Sequence, residues 1–539
     1  MVIPTPGVVP PGPTKKRRIA AKLKLRPRRA SKMAPPLIEP TPVQVEAAIR
    51  ILPPELAALR SRLPADVELP LDLLATLVLP RVPLANAALT AWSYLLQSEA
   101  LQDLYQRNRG RSYEKILTFP EFVALIRDAL VLHEGSALAS FERAEERGEL
   151  PTCQEAVYAK LRRVPLGLSM AFFEEITERL RALLPRGTSA EALPASLDGI
   201  EVVILDGKQL KGVAKRLKAV RGRPGKVIGG KILVAYLPRL GLAVAMAAER
   251  DGEANDIRLM PEAIPRIRAR VAGVRLWVGD RQFCDLNQPA ELTRQGDHFL
   301  LRRSLKLGFH ADPDRAARSV VDARGRTVIE QWGWIGAPKE KRRRYVRQVH
   351  LARPGADDVY LVTDLLDERA YPAEDLLAVY LTRWEIERVF QKIAEVFELR
   401  RLIGSTPEAT IFQAAFCLVL YNLLQVMRAY VAAGQEGLAA DAVSMEKLFD
   451  DVQAELTALM VLFPSATIAG WYAGECSRAE VVSRLEQLLG GAWKPRYRKA
   501  TRKKPRPKVK QAKCSGAHIS VQKILDAEGK KRGQPQGVP

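Results

Sequence analysis

Three acidic residues, Asp206, Asp280 and Glu387, stand where side chains can do chemistry. Asp206 closes the run Ile200-Glu201-Val202-Val203-Ile204-Leu205-Asp206, and Asp280 follows Val274-Arg275-Leu276-Trp277-Val278-Gly279. Near-continuous apolar runs of this length mark strands buried on both faces. Glu387 lies farther on, in a stretch with helical periodicity. A carboxylate at the end of a buried strand is costly unless something neutralises it, and a divalent cation does so. Oxygen-only ligands select a hard ion, Mg²⁺ or Mn²⁺. Two such ions about 4 Å apart activate an attacking oxygen and stabilise the leaving one in an in-line displacement at phosphorus. An aspartate after a strand is more commonly a turn or N-cap residue, so the reading rests on the three acids together.

Tyr380, Arg383 and Glu387 are spaced by three and four positions, which puts them on one face of a helix. Trp384, Ile386, Val389 and Phe390 are expected to bury the other flank and hold this face toward the site. The competing reading is a surface ion pair between Arg383 and Glu387, which is common on any helix.

The elements that must carry these residues follow a definite order. After the strand at Ile200–Asp206 come strands at Lys231–Tyr236 and Leu242–Met246, joined by the hairpin-like turn Pro238-Arg239-Leu240-Gly241. A helix is expected over Asn255–Val271, then strands over Val274–Gly279 and His298–Arg302, with a helix between them. This order resembles a ribonuclease-H-like fold, an α/β mixed sheet flanked by helices. Short strands at Val320-Val321, Thr327–Trp332, Tyr345–His350 and Val359–Thr363 read as a β-rich insertion. A long helix is expected from Pro372 to about Arg401, and a last helical stretch from Ser444 to about Leu489. The apolar stretch Thr410–Val426 is interrupted by Gln413, Asn422 and Gln425, so it reads as a buried core helix rather than a membrane span.

Charge and composition add partners. The net charge is +23, with ten basic residues and no acid from Met1 to Ile38, and eleven basic residues and no acid from Lys494 to Lys513. The rest of the chain nearly balances. Both stretches are rich in proline and read as disordered arms suited to a polyanion, since each cation that neutralises a phosphate releases a counterion. Cys153, Cys284, Cys417, Cys476 and Cys514 show no metal-ligand or redox spacing, which fits a reduced, cytoplasmic protein. The proline-rich start has no apolar signal region. The expected division is a basic arm (1–43), a helical N-terminal domain (44–195), a catalytic core (196–303 and 371–430), the insertion (304–370), a C-terminal helical region (431–493) and a basic tail (494–539).

The stretch Tyr380-Leu381-Thr382-Arg383-Trp384-Glu385-Ile386-Glu387-Arg388-Val389-Phe390 resembles the glutamate motif of the fourth insertion-sequence family of bacterial DDE transposases: Tyr, two residues, Arg, three residues, Glu, six residues, Lys. Asp206-Gly207 and Asp280-Arg281 look like the family's two aspartate motifs, and the insertion sits where the family keeps one. The resemblance spans roughly residues 45 to 430. It implies catalysis and metal binding by Asp206, Asp280 and Glu387 with two Mg²⁺ or Mn²⁺ ions, and DNA contacts by Tyr380, Arg383 and Arg281. It implies cut-and-paste cleavage and strand transfer on double-stranded DNA through hairpin ends, by a homodimer, in the bacterial cytoplasm at the nucleoid. One departure is clear: the family lysine falls on Ala394, and Lys392 lies about 140° round the helix from Glu387 by the 3.6-residue period. The alternatives are a metal-dependent nuclease of the same fold without strand transfer, and a DNA-binding relative with catalysis weakened.

Overall fold

The computed structural model describes residues 71–499 and 519–533, apart from positions 134, 188–192, 212–218, 220, 222–226, 323–324, 354–356, 398, 400–402 and 475. The arm at 1–43, the first part of the helical N-terminal domain (44–70), and residues 500–518 of the basic tail lie outside the described residues.

Helices fill the N-terminal part: α1 (Leu71–Val78), α2 (Pro83–Leu95), α3 (Ser98–Asn108), α4 (Phe119–Val131), α5 (Ala137–Glu146), α6 (Gln154–Leu161) and α7 (Leu166–Ala182). Thr118 and Glu121 start α4 with a reciprocal capping box. The α4 residues Phe119 and Phe122 then meet Phe172 of α7 and Phe412 farther along the chain, with ring centroids 5.3 to 6.3 Å apart. The helices therefore share a core with the rest of the fold.

The apolar run at Ile200 becomes β1 (Ile200–Lys211), which pairs antiparallel with β2 (Val227–Leu237). β2 turns through Gly241, at φ 70°, into β3 (Leu242–Glu249). Asn255 caps a short 3-10 turn that leads into α8 (Met260–Arg270). β4 (Val274–Gly279) returns parallel to β1, and after α9 (Gln288–Leu292) β5 (His298–Arg302) adds parallel to β4. Val203, Ile204 and Leu205 of β1 are fully buried, as a strand covered on both faces requires.

The insertion continues this sheet. β6 (Phe309–Ala311), β7 (Arg318–Val321), β8 (Thr327–Ile335), β9 (Arg344–Leu351) and β10 (Val359–Thr363) extend it, with β10 antiparallel to β5. Fully buried Arg347 of β9 pairs with Glu330 and donates to the carbonyl of Tyr371 at 2.7 Å, which ties the insertion to the helix that follows.

The long helix expected from Pro372 to Arg401 is two helices, α10 (Ala373–Thr382) and α11 (Trp384–Glu395). At the junction the Arg383 N–H bonds to the Tyr380 carbonyl and the Ile386 N–H to the Arg383 carbonyl, a tight 3-10-type turn. α12 (Pro407–Ala433) is long and apolar enough to cross a membrane, yet it runs through the interior of the fold. Its polar interruptions are cross-links: Gln413 accepts from the Ile403 N–H at 2.8 Å, and Asn422 bonds both backbone groups of Ala243 and the Thr177 hydroxyl. The final helical stretch breaks at Pro464 and again after Trp471, giving α13 (Met445–Leu462), α14 (Ser465–Trp471) and α15 (Arg478–Leu489).

The tail is not disordered throughout, contrary to the sequence expectation. Lys494 and Arg496 pair with Asp451, and Tyr497 is fully buried. β11 (Ile519–Ser520) adds parallel to β2, and α16 (Val521–Gly533) follows with Val521 and Ile524 buried. Two well-spaced apolar anchors and the Glu253 carboxylate, which accepts from the Ser520 N–H, suffice to seat this short piece.

Candidate active site

The sheet register brings the two aspartates level. β1 and β4 pair in parallel from Ile200↔Val274 to Ile204↔Val278, and two more residues at that offset set Asp206 beside Asp280. The strands end differently. β1 runs on to Lys211, with Asp206 still paired to Val234 of β2, so Asp206 does not close its strand as the sequence implied. β4 stops at Gly279, and Asp280 caps the following 3-10 turn by accepting the Arg281 N–H at 2.5 Å. A side chain at Gly279 would meet the Phe283 ring at 2.8 Å, so the tight turn needs glycine there.

Arg383, at the junction of α10 and α11, collects the acids. Its Nη2 lies 3.2 Å from Glu387 Oε1, and its guanidinium sits 5.7 Å from the Tyr380 ring centroid and 5.5 Å from that of Trp384. Arg383 is only 6% exposed. Burial works to lower its pKa, and Tyr380, Asp206, Asp280 and Glu387 outweigh that, so the guanidinium is held firmly protonated. Burial pushes the Tyr380 hydroxyl up, with Arg383 opposing and Asp280 adding. Neither the Tyr380 hydroxyl nor Arg383 Nε makes a well-aligned hydrogen bond.

Asp206 opens onto a cleft of about 890 Å³, whose wall also includes Lys208, Lys231, Asp256, Gln282, Glu387 and Ala394. Burial pushes the Asp206 carboxyl up to about 7; Arg383 and the Gly207 N–H oppose this, while Glu387 and Asp256 add to it. Desolvation wins because the residue lies in the low-dielectric end of the cleft.

Asp256 escaped the sequence reading. It is 5% exposed, and Lys231 Nζ lies 2.6 Å from its Oδ1, close enough for an ion pair though not aligned as a hydrogen bond. Lys231 also donates to the Ala254 carbonyl at 2.6 Å. The Asp256 carboxylate packs on the backbone beside Asp206: a side chain at Gly207 would lie 2.0 Å from Oδ1. The available signal was Lys231 itself, a lone cation in the apolar run Ile228–Leu237, which demands a buried anion.

Around Glu387 the helix is half as predicted. Ile386, Val389 and Phe390 are buried, but Trp384 is 54% exposed and lies beside the Arg383 guanidinium instead of packing inward. Lys392 points away and pairs with Glu446. Arg281 is exposed beside Asp280.

Asp206, Asp280 and Glu387 are all-oxygen donors suited to a hard divalent ion, and the desolvated Asp206 carboxyl is a group that such a charge would stabilise. Among the described residues no three acidic, histidine or cysteine side chains converge at metal-ligand spacing. In this arrangement Arg383 is the cation shared by the three carboxylates.

Fold and site together define an α/β protein whose sheet presents paired aspartates to a glutamate on a facing helix. Residues 198–423 match the family model described as a transposase DDE domain, so this part of the chain is similar to the DDE transposases. A protein of Sinorhizobium fredii (strain NBRC 101917 / NGR234) that carries the name "Putative transposase y4zB" is 24% identical over 204 residues, covering 38% of this chain and 54% of that protein. The chain thus spans about half the length of the curated relative it matches.

Proposed function

We propose that this protein is a cut-and-paste DNA transposase of the fourth insertion-sequence type, with a ribonuclease-H-like core and a catalytic set of Asp206, Asp280 and Glu387. The observation that carries the reading is the placing of all three acids around Arg383, two from adjacent parallel strands and one from the helix opposite. The strand order β3-β2-β1-β4-β5, three antiparallel strands followed by two parallel ones, supports the core assignment.

The three carboxylates would hold two Mg²⁺ or Mn²⁺ ions, which when bound supply activation of the attacking oxygen and stabilisation of the leaving one. The chain's own residues do the rest. Arg383 neutralises the acids before loading, and its planar donors suit a backbone phosphate once released from Glu387. Tyr380, buried beneath it, fixes the guanidinium plane. Arg281 stands exposed next to Asp280, where a phosphate-contacting cation belongs. Cleavage at the element's ends, hairpin formation and strand transfer are then successive phosphoryl transfers at one site, by a homodimer spanning two ends of double-stranded DNA.

The test is cleavage of a duplex carrying the element's terminal inverted repeat, in Mg²⁺. Asp206→Ala, Asp280→Ala and Glu387→Gln should each abolish cleavage and leave end binding nearly intact, because metals serve the transition state while phosphate and base contacts serve binding. Near wild-type cleavage by any one of them removes that residue from the set.

A further inference from the structure

The loop between α3 and α4 leaves two large apolar side chains in solvent. Tyr113 is 67% exposed and Ile116 64% exposed. Single exposed apolar residues need no explanation, but two on one anchored loop mark a contact surface.

The anchoring comes from the inner side. Gly110, at φ 56°, turns the chain out of α3, and the Arg109 guanidinium donates to the Ser112 carbonyl at 2.7 Å. Glu114 pairs with Lys160 of α6 at 2.8 Å and accepts from Gln102 of α3 at 2.7 Å. Lys160 also donates to the carbonyl of buried Leu117 at 2.6 Å. These bonds fix the loop while Tyr113, Lys115 and Ile116 stay exposed.

Positive charge surrounds the apolar pair. The loop and the end of α6 border a cleft of about 660 Å³, whose wall includes Arg109, Arg111, Lys115 and Arg163. Among the described residues the acid of this wall is Glu114, which Lys160 already neutralises, and none of the other four cations pairs with a carboxylate. Arg111, Lys115 and Arg163 are exposed. Lys115 Nζ stands 5.8 Å from the Tyr113 ring centroid, so cation and aromatic face are presented together. The centres of protein–protein interfaces are poor in charge, which disfavours a protein partner here. A polyanion is favoured, because each cation that neutralises a phosphate releases a counterion.

We infer that this loop and the adjoining end of α6 form a duplex-DNA contact, separate from the cleft of the three acids. Arg111, Lys115 and Arg163 take backbone phosphates, and Tyr113 and Ile116 lie against the sugars and base edges of the groove between them. The inference rests on the reading of the protein as a DNA-cutting transposase. Phosphate contacts set position without reading sequence, so any sequence preference of this contact comes from the apolar pair.

The experiment measures binding of the full chain to a duplex carrying the element's terminal inverted repeat and to a random duplex, by fluorescence anisotropy over a range of salt. Arg111→Gln, Lys115→Gln and Arg163→Gln combined should weaken binding to both duplexes and flatten log K against log salt by about two to three units. Tyr113→Ser with Ile116→Ser should keep the slope and lose roughly tenfold in preference for the repeat, as for a lost base-edge contact. A photo-reactive benzoylphenylalanine introduced at Tyr113 should crosslink to the duplex. Wild-type affinity and salt slope in the triple variant overturn the inference, as does a crosslink that joins two copies of the chain and no DNA; the assignment of the three acids, tested by cleavage, is untouched by either result. A wild-type protein that neither binds the repeat nor cuts it overturns both readings together.

Discussion

Arg383 sits at the junction of α10 and α11 and Glu387 four residues on, within α11; their Nη2–Oε1 separation is 3.2 Å. The pair holds one of the three acids against the cation that serves all of them. Removing the cation leaves half-buried like charges near one another, which a divalent ion can offset. Arg383→Gln should therefore melt at a lower temperature than wild type without divalent ions, and Mn²⁺ should raise its melting temperature by more than it raises the wild type's. Thermal melts with and without Mn²⁺ check this. Equal Mn²⁺ shifts in the two proteins count against Arg383 as the stand-in charge.

Gly207 has no room for a side chain, because the Asp256 carboxylate fills the space at 2.0 Å and is itself pinned by Lys231. Gly207→Ala should cost about 1–3 kcal/mol, the usual range for overpacking, and should displace Asp206 enough to suppress cleavage. Gly167, inside α7 with open space around it, is the control. Gly167→Ala should be neutral or stabilising by up to about 1 kcal/mol. Denaturant unfolding of both variants, with cleavage of each, tests the contrast.

Glu455 of α13 accepts the N–H groups of Leu84 and Ala85 at the start of α2, at 2.8 and 2.9 Å. Burial pushes its pKa from 4.5 up to about 7, against those two bonds. A carboxyl raised on folding adds stability that is fully present below its unfolded pKa and is lost as pH rises through the folded one. This contribution should fade between about pH 4.5 and 7, by an amount on the order of 3 kcal/mol for a shift of this size. Glu455→Gln should flatten the stability profile in that window, measured by urea unfolding at a series of pH values. A profile that falls equally steeply in the variant would assign the pH dependence elsewhere.

The arms should supply non-specific affinity. Lys494 and Arg496 already pair with Asp451, so the cations available for DNA on the C-terminal side begin beyond them. Replacing the basic residues from Arg502 to Lys513 by glutamine should flatten log K against log salt by about one unit per lost phosphate contact. Preference for the terminal repeat over random DNA should survive. An unchanged slope would show that this stretch does not touch DNA.

The sequence made the strands legible where burial on both faces left only one way to read an apolar run: Val274–Gly279, His298–Arg302 and Val359–Thr363 end where they were read. It was less informative where backbone geometry is set by tertiary contacts. Nothing local marks the turn at Arg383, since every residue from Ala373 to Glu395 tolerates a helix; the break accompanies a guanidinium drawn among acids from β1 and β4. Trp384 looked apolar enough to be buried, but a cation beside its face makes a half-exposed position tolerable. Asp256 resembled an ordinary helix-start acid, and its role depends on Lys231, which is distant in sequence and adjacent only once β2 lies beside β1.

The seating of β11 and α16 changes what carries the catalytic strand. Ile519 is registered against Val227 and Ser520 against Ile228, and β2 in turn pairs with β1 across Asp206. A segment far away in sequence is thus one strand removed from the backbone that holds the first aspartate, and its Ser520 hydroxyl accepts the Gly252 N–H of the loop that leads to Asp256.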